Sequence, residues 1–386
     1  MINSTIRSTT TLVVLSLAVV ANATSCSPPA SESNIKVSDV AHTPVKRQSI
    51  GNCWLYATAT WAESMHLAST GETVNLSESY WTYWDWYNKI LNEGGTEIST
   101  GGNWYDASTI IREHGYMLEG DFLPLEAELQ MSEAQRSAET AINLALTSGS
   151  LMDVDNRSPE QIIAALDAAF NVNMATAQTL KHQATDLKTN TSSNGTILTL
   201  NDEIYYGRHA WKSLTYPQVY GKDGVATTYT TATRNYIMKA VLQAVNDRRP
   251  VIMSSQVEFS ALNSEHNATF EYDLYIQNGR SSGQGGHLIV LEDYTVDNVP
   301  GIGAIGEGNV SDELKAAALT GTLKTLVVKN SWGTSRPERG LSDGYTRFAA
   351  DYINRPLPFG LAHDDTNIEH GTWYSAVSSF IVPPEY

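Results

Sequence analysis

The chain has 386 residues, enough for one large domain or two smaller ones, and 41% of them are hydrophobic, which supplies a core and excludes wholesale disorder. Lys and Arg number 25 against 42 Asp and Glu, a net charge of −17. With no basic stripe to neutralise phosphates, nucleic acid is excluded as a partner, and the excess negative charge favours solubility.

The chain begins with Arg7 in a short polar leader. Thr11 to Val20 is apolar but too short to span a bilayer, and Ala21-Asn22-Ala23 is a small-residue cleavage pattern. These features predict a signal peptide over residues 1–25 and an exported protein, secreted or held at the cell envelope. Ala23-Thr24-Ser25-Cys26 also fits a bacterial lipoprotein box, in which a lipidated Cys26 supplies the one membrane attachment. Both readings stand. Ser27 to Ser33 is rich in Pro and Ser, so residues 26–40 read as a tether and residues 41–386 as one domain.

Cys26 and Cys53 are the two cysteines, so no disulfide framework is expected. Cys53 follows Gln48-Ser49-Ile50-Gly51-Asn52 and precedes a helical pattern running from Leu55 to Leu67, with Gly71 as its stop. A thiol at a helix N-terminus lies in the positive end of the dipole, which favours the nucleophilic thiolate. The Gln48 amide can donate to an oxygen that turns negative during acyl transfer. A buried Cys opening an ordinary core helix is the plainer alternative. Trp54, Ala57, Trp61 and Met65 recur at helical spacing and should face the core. Ser77 caps the next helix, whose Tyr80, Tyr83, Trp84 and Tyr87 are expected to form a buried face, not a stacking platform. Gly101-Gly102 opens a third helix, Tyr105 to Glu113.

Further on, Leu125 to Leu146 and Ser158 to Ala169 read as helices, and Lys188 to Asp202 as a polar loop. Asn235 to Asn246 reads as a helix and Arg249 to Ser255 as a turn into a strand. Gly286 to Tyr294 is a hydrophobic strand with His287 at its start, and Leu323 to Lys329 is another, with Asn330 at its end. Gly344 to Phe348 makes a third strand, and Gly301 to Gly306 a flexible loop. Pro356 to Tyr386 carries no functional signal. His363-Asp364-Asp365 and His370 are the nearest approach to metal ligands, but no His-Glu-x-x-His or paired-Cys motif occurs, so neither metal nor cofactor is expected.

Gln48, Cys53-Trp54, His287 and Asn330-Ser331-Trp332-Gly333 stand in the order and local context of the papain-like cysteine peptidases, which the chain resembles. The stretch Ala349 to Ile353, which follows the Gly344 to Phe348 strand, resembles the bleomycin-hydrolase branch more than papain itself. The resemblance implies an α+β, two-lobed papain-like fold with a helical N-terminal lobe and an antiparallel β-rich C-terminal lobe. It also implies a peptide or protein substrate, Cys53 as nucleophile, His287 as acid and base, and Asn330 as its orienter. Gln48 and the Cys53 N–H would form the oxyanion hole. Gly101 and Gly102 would lie beside the substrate backbone, and Trp332 would cover the His287–Asn330 hydrogen bond at the substrate site.

Three departures accompany the likeness. Asn52 replaces the family's usual small residue, and Ile50 replaces a frequent half-cystine. The interval from Cys53 to His287 is longer than the roughly 130–150 residues of close papain relatives, which requires a large, mostly helical insert at about residues 121–230. That insert could be a lid, an outlying subdomain or plain packing. The short stretch before Gln48 leaves no room for a helical propeptide, so the insert is expected to restrain substrate access. A papain-fold protein that binds peptides or wall polymers without cleaving them, and an acyltransferase using the same thioester, remain the alternative functions.

Overall fold

The computed structural model describes residues 40–129, 131–281, 283–360, 367 and 370–386. The expected leader, Cys26 and the His363-Asp364-Asp365 triplet lie outside the described residues.

Helices build the first lobe. In α1 (Cys53–Thr70) the expected stop is present: Gly71 takes φ 76° and its N–H donates to Leu67 O at 2.8 Å. Trp54, Ala57, Trp61 and Met65 are all in the core. Ser77 caps α2 (Glu78–Glu93) by accepting from the Tyr80 N–H at 3.1 Å. Tyr80, Trp81, Tyr83 and Trp86 are fully buried, so this aromatic helix is core. Asn103 and Asp106 cap α3 (Trp104–His114) reciprocally.

The insert begins with the short α4 (Glu119–Phe122) and α5 (Pro124–Leu129). The single helix expected from Leu125 to Leu146 is divided, because Ser132 starts a new one, α6 (Glu133–Ser148). Next comes α7 (Pro159–Phe170), which starts on a Ser158–Gln161 capping box and packs on α2 and α6. The single turn α8 (Met174–Ala177) follows. The expected loop at Lys188 to Asp202 is instead the antiparallel hairpin β1 (Lys188–Thr191) and β2 (Ile197–Thr199), ending in the single turn α9 (Leu200–Glu203). Ser192 N–H donates to Thr196 O at 2.8 Å, and Gly195 supplies the left-handed residue of the turn, so the hairpin closes despite its polar composition.

The second lobe is a nine-stranded sheet. Its strands are β3 (Lys212–Thr215), β4 (Val251–Glu258), β5 (Leu262–Asn263), β6 (Thr269–Phe270), β7 (Gln284–Val299), β8 (Gly303–Ile305), β9 (Thr322–Lys329), β10 (Tyr345–Ala349) and, beyond an intervening pair, the final strand of the chain. That pair is β11 (Pro356–Phe359) and β12 (Thr372–Ser375), and the final strand is β13 (Val377–Val382). The order is β3-β13-β4-β7-β9-β10-β6-β5, with β8 on β7, and every pairing is antiparallel except β10 with β6. α10 (Thr228–Asn246) packs on β4, β7 and β13. α11 (Tyr272–Asn278), α12 (Asp312–Ala318) and α13 (Ala350–Asn354) fill the connections. The protein is thus an α+β, two-lobed chain, with one core around α1–α3 and another beneath the sheet.

One further expectation changes: the glycine-rich Gly301 to Gly306, read as a flexible loop, contains β8, paired to β7. The last strand, β13, lies between β3 and β4. In addition, β3 comes from within residues 121–230 and joins the main sheet.

Candidate active site

The two lobes meet where α1 lies against β7. Cys53 is the first residue of α1 and is buried, with 7% of its surface exposed. The Leu288 N–H of β7 points at Cys53 Sγ from 3.5 Å. Residue 287 therefore follows the strand into the same place. β7 and β9 are antiparallel neighbours, with Val290 opposite Lys329, so the start of one lies beside the end of the other. That register brings His287 to Asn330. His287 Nε2 is 2.9 Å from Asn330 Oδ1, which leaves Nδ1 for the thiol.

Asn330 is itself fixed. Its Oδ1 also accepts from the Ser331 N–H at 2.8 Å, and its Nδ2 donates to Thr346 Oγ1 at 3.3 Å. These contacts set the amide so that its oxygen faces the ring. His287 Nε2 then carries the proton it donates. Trp332 stacks on the imidazole at 5.1 Å and 19°, and Phe259 and the Arg339 guanidinium back the indole. Trp332 is therefore a shield over the ring, with only 8% of its own surface exposed.

Charge ties the pair together. Burial pushes the Cys53 thiol up, but the His287 charge, its hydrogen bond and the N–H groups of Leu288 and Trp54 outweigh it, so the thiol falls below its usual range. Burial pushes His287 down, and the Cys53 charge with hydrogen bonds to Cys53 and Asn330 more than reverses this, so the imidazole rises. Both shifts favour a thiolate–imidazolium pair.

Gln48 is held by the turn that follows Asn330. The Gln48 N–H donates to Ser331 O at 2.9 Å, the Gly333 N–H to Lys46 O at 3.1 Å, and Ser331 Oγ–H to Gln48 Oε1. The Gln48 amide nitrogen donates to Ile50 O at 2.7 Å with one hydrogen, leaving the second available. A Cβ on Gly102 would come within 2.5 Å of the Trp54 indole, so only glycine lets this segment lie against it. Trp54 Nε1–H donates to Thr100 O at 3.0 Å. Lys89 Nζ donates to Ser99 O at 2.9 Å and Gly101 O at 2.7 Å. Gly101 O is thus engaged within the protein, whereas among the described residues no hydrogen bond occupies the Gly102 N–H or C=O.

The structure therefore brings Cys53, His287, Asn330 and Trp332 together, with Gln48 and Gly102 flanking them. Lys89 and Thr346 had no sequence motif to mark them. The insert also reaches the site, and the unusual Asn52 was the one sequence signal pointing there. Among the described residues no group of three or more His, Cys, Asp or Glu side chains converges as a metal site. His370 Nε2 lies 3.1 Å from Asn367 Nδ2.

No protein-family model matches the sequence, and no curated protein matches it. Among solved structures the chain is similar to PepW from Lactobacillus rhamnosis, at 14% identity and TM-score 0.39, covering 90% of this chain and 81% of that one. It is similar to xylellain, a cysteine protease from Xylella fastidiosa, at 13% identity and TM-score 0.38, covering 90% and 85%. Digestive procathepsin L 3 from the larval midgut of Tenebrio molitor shares 16% identity over 87% of this chain and 66% of that one, with a TM-score of 0.35. At such scores the functional reading has to rest on the geometry of the site.

Proposed function

We propose that the protein is a papain-like cysteine peptidase that hydrolyses peptide bonds through a thioester on Cys53. The observation that carries this is the buried series Cys53–His287–Asn330, with the thiol at a helix N-terminus and the ring fixed at 2.9 Å by the amide. The Cys53 thiolate attacks the peptide carbonyl carbon, and its oxygen becomes negative. In this reading the Cys53 N–H and the spare Gln48 N–H receive that charge. As the C–N bond breaks, imidazolium His287 gives its proton to the leaving amine. His287 next takes a proton from water, which attacks the thioester. The acid leaves and the thiolate is restored. Asn330 keeps the ring in one orientation, and Trp332 keeps water from their hydrogen bond.

The unoccupied N–H and C=O of Gly102 support binding of an extended peptide by backbone hydrogen bonds. The substrate class is therefore a peptide or an unfolded protein segment. The test is purified enzyme against a peptide mixture, with products read by mass spectrometry. Hydrolysis products from the wild type and none from Cys53→Ala are expected. Activity retained in Cys53→Ala would end the cysteine-peptidase reading. Transamidated products would assign an acyltransferase, and no products from the wild type would leave a binding protein.

A further inference from the structure

The beginning of α6 lies against the loop that carries the nucleophile, although it belongs to the insert. Ser132 N–H donates to Arg47 O at 3.2 Å, and Ser49 N–H donates to Ser132 Oγ at 3.1 Å. Arg136 Nη2 donates to Ser49 O at 2.8 Å. One residue before Cys53, Asn52 Nδ2 donates to Gln135 Oε1 at 2.8 Å and to Thr82 Oγ1 at 2.9 Å. Gln135 is fully buried, and its Nε2 donates to Ser79 Oγ of α2 at 2.7 Å. Arg47, Ser49 and Asn52 of this loop are thus tied to one short segment of the insert.

Asn52 occupies the N-cap of α1 yet makes no side-chain cap. An Asn there ordinarily turns its oxygen onto the N–H groups of the first turn. Here both amide hydrogens are committed to Thr82 and Gln135, and Oδ1 is buried with no partner. A buried acceptor left unpaired costs stability, so the orientation must be imposed by its neighbours. Its consequence is at the thiol. Of the first-turn N–H groups that an Asn52 side-chain cap would cover, that of Leu55 already donates to Asn52 O at 3.0 Å, and that of Trp54 stays with Cys53 Sγ.

We infer that Gln135 is a positioning residue of the nucleophile: it holds the Asn52 amide off the α1 N-terminus, and the start of α6 braces the loop that carries Cys53. For catalysis this rests on the peptidase reading, but thiol reactivity tests it without that reading. Released from Gln135, the Asn52 amide is free to turn and cap the helix, which takes the Trp54 N–H from the thiolate.

The test measures Cys53 alkylation by iodoacetamide across pH, with peptide mapping, alongside kcat, KM and Tm. Gln135→Met keeps the volume and removes the acceptor. It is expected to slow alkylation at neutral pH, raise the midpoint of the pH profile and lower kcat about 10- to 100-fold, with KM little changed. In an Asn52→Ala background no amide remains to turn, so Gln135→Met should then add little to the loss. Arg136→Ala, at an exposed position, covers the case in which Gln135→Met does not fold, and should shift the profile in the same direction by less. A wild-type enzyme that alkylates but cleaves nothing would overturn the peptidase reading and not this one. An unchanged alkylation profile in Gln135→Met, or in Arg136→Ala where it is the only folded variant, would overturn the inference. So would a loss simply additive with Asn52→Ala.

Discussion

The two halves of the site are built differently. His287 and Asn330 sit at neighbouring strand ends, and the β7–β9 ladder sets their separation. Cys53 and Gln48 sit on a loop whose position depends on the Asn330–Gly333 turn, on α2 and on the insert. A ladder fixes its residues by many repeated backbone bonds, whereas a loop depends on a few side chains. Substitutions on the strand side should therefore leave the backbone of the site in place, whereas those in the contacts that hold the loop can also move it.

The largest expected effect is on the strand side. His287→Ala should abolish turnover as completely as loss of the thiol, because base and nucleophile act as one unit. Asn330→Ala should cost less, since it removes only the group that orients the ring. Initial rates on one peptide compare them, and a greater loss in Asn330→Ala than in His287→Ala would reverse the assigned roles. On the loop side, Gln48→Ala should lower kcat about 100- to 1000-fold with little change in KM, as one oxyanion donor is lost. If KM alone changes, Gln48 binds substrate instead. Smaller again, Gly102→Ala must displace either Trp54 or the substrate strand, so KM should rise more than kcat falls.

The smallest effect concerns stability beneath the loop. Lys46 is buried between Glu63 at 2.7 Å and Glu78 at 2.8 Å, with Glu119 and Glu126 nearby. Burial pushes Glu119 up to about 8, partly offset by Lys46. The folded state then binds its proton more tightly than the unfolded chain, where a Glu titrates near 4.3. That difference lowers stability progressively as pH rises from about 4.3 to the folded value. Glu119→Gln should therefore gain on the order of 1–3 kcal/mol over the wild type at pH 8 and almost nothing at pH 4. Thermal melts at both values measure it. A gain as large at pH 4 as at pH 8 would contradict the burial argument.

Much of this was legible in the sequence. Gly71 and Ser77 mark helix ends by local chemistry, and the runs after His287 and before Asn330 read as strands because their apolar residues are contiguous. The order of Cys53, His287 and Asn330 followed from motifs. The insert itself was legible as a mostly helical stretch, but its contacts with the nucleophile loop were not, because they join residues such as Gln135 and Asn52 that are far apart in the chain. β3 and β13 escaped notice for the same reason: a strand of four or six residues gains its identity from the neighbour it pairs with. The hairpin at Lys188 to Thr199 is too polar to show alternation.

The central claim is that Cys53 and His287 form an ion pair, and the pH dependence of Cys53 alkylation tests it most directly. In the wild type, reaction should persist well below pH 8.5, the ordinary midpoint of a free thiol, and fall only as pH drops through the lowered value. In His287→Ala the thiol keeps its burial and loses its counter-charge, so the midpoint should move up to or beyond that ordinary value. The same midpoint in both proteins would contradict the account.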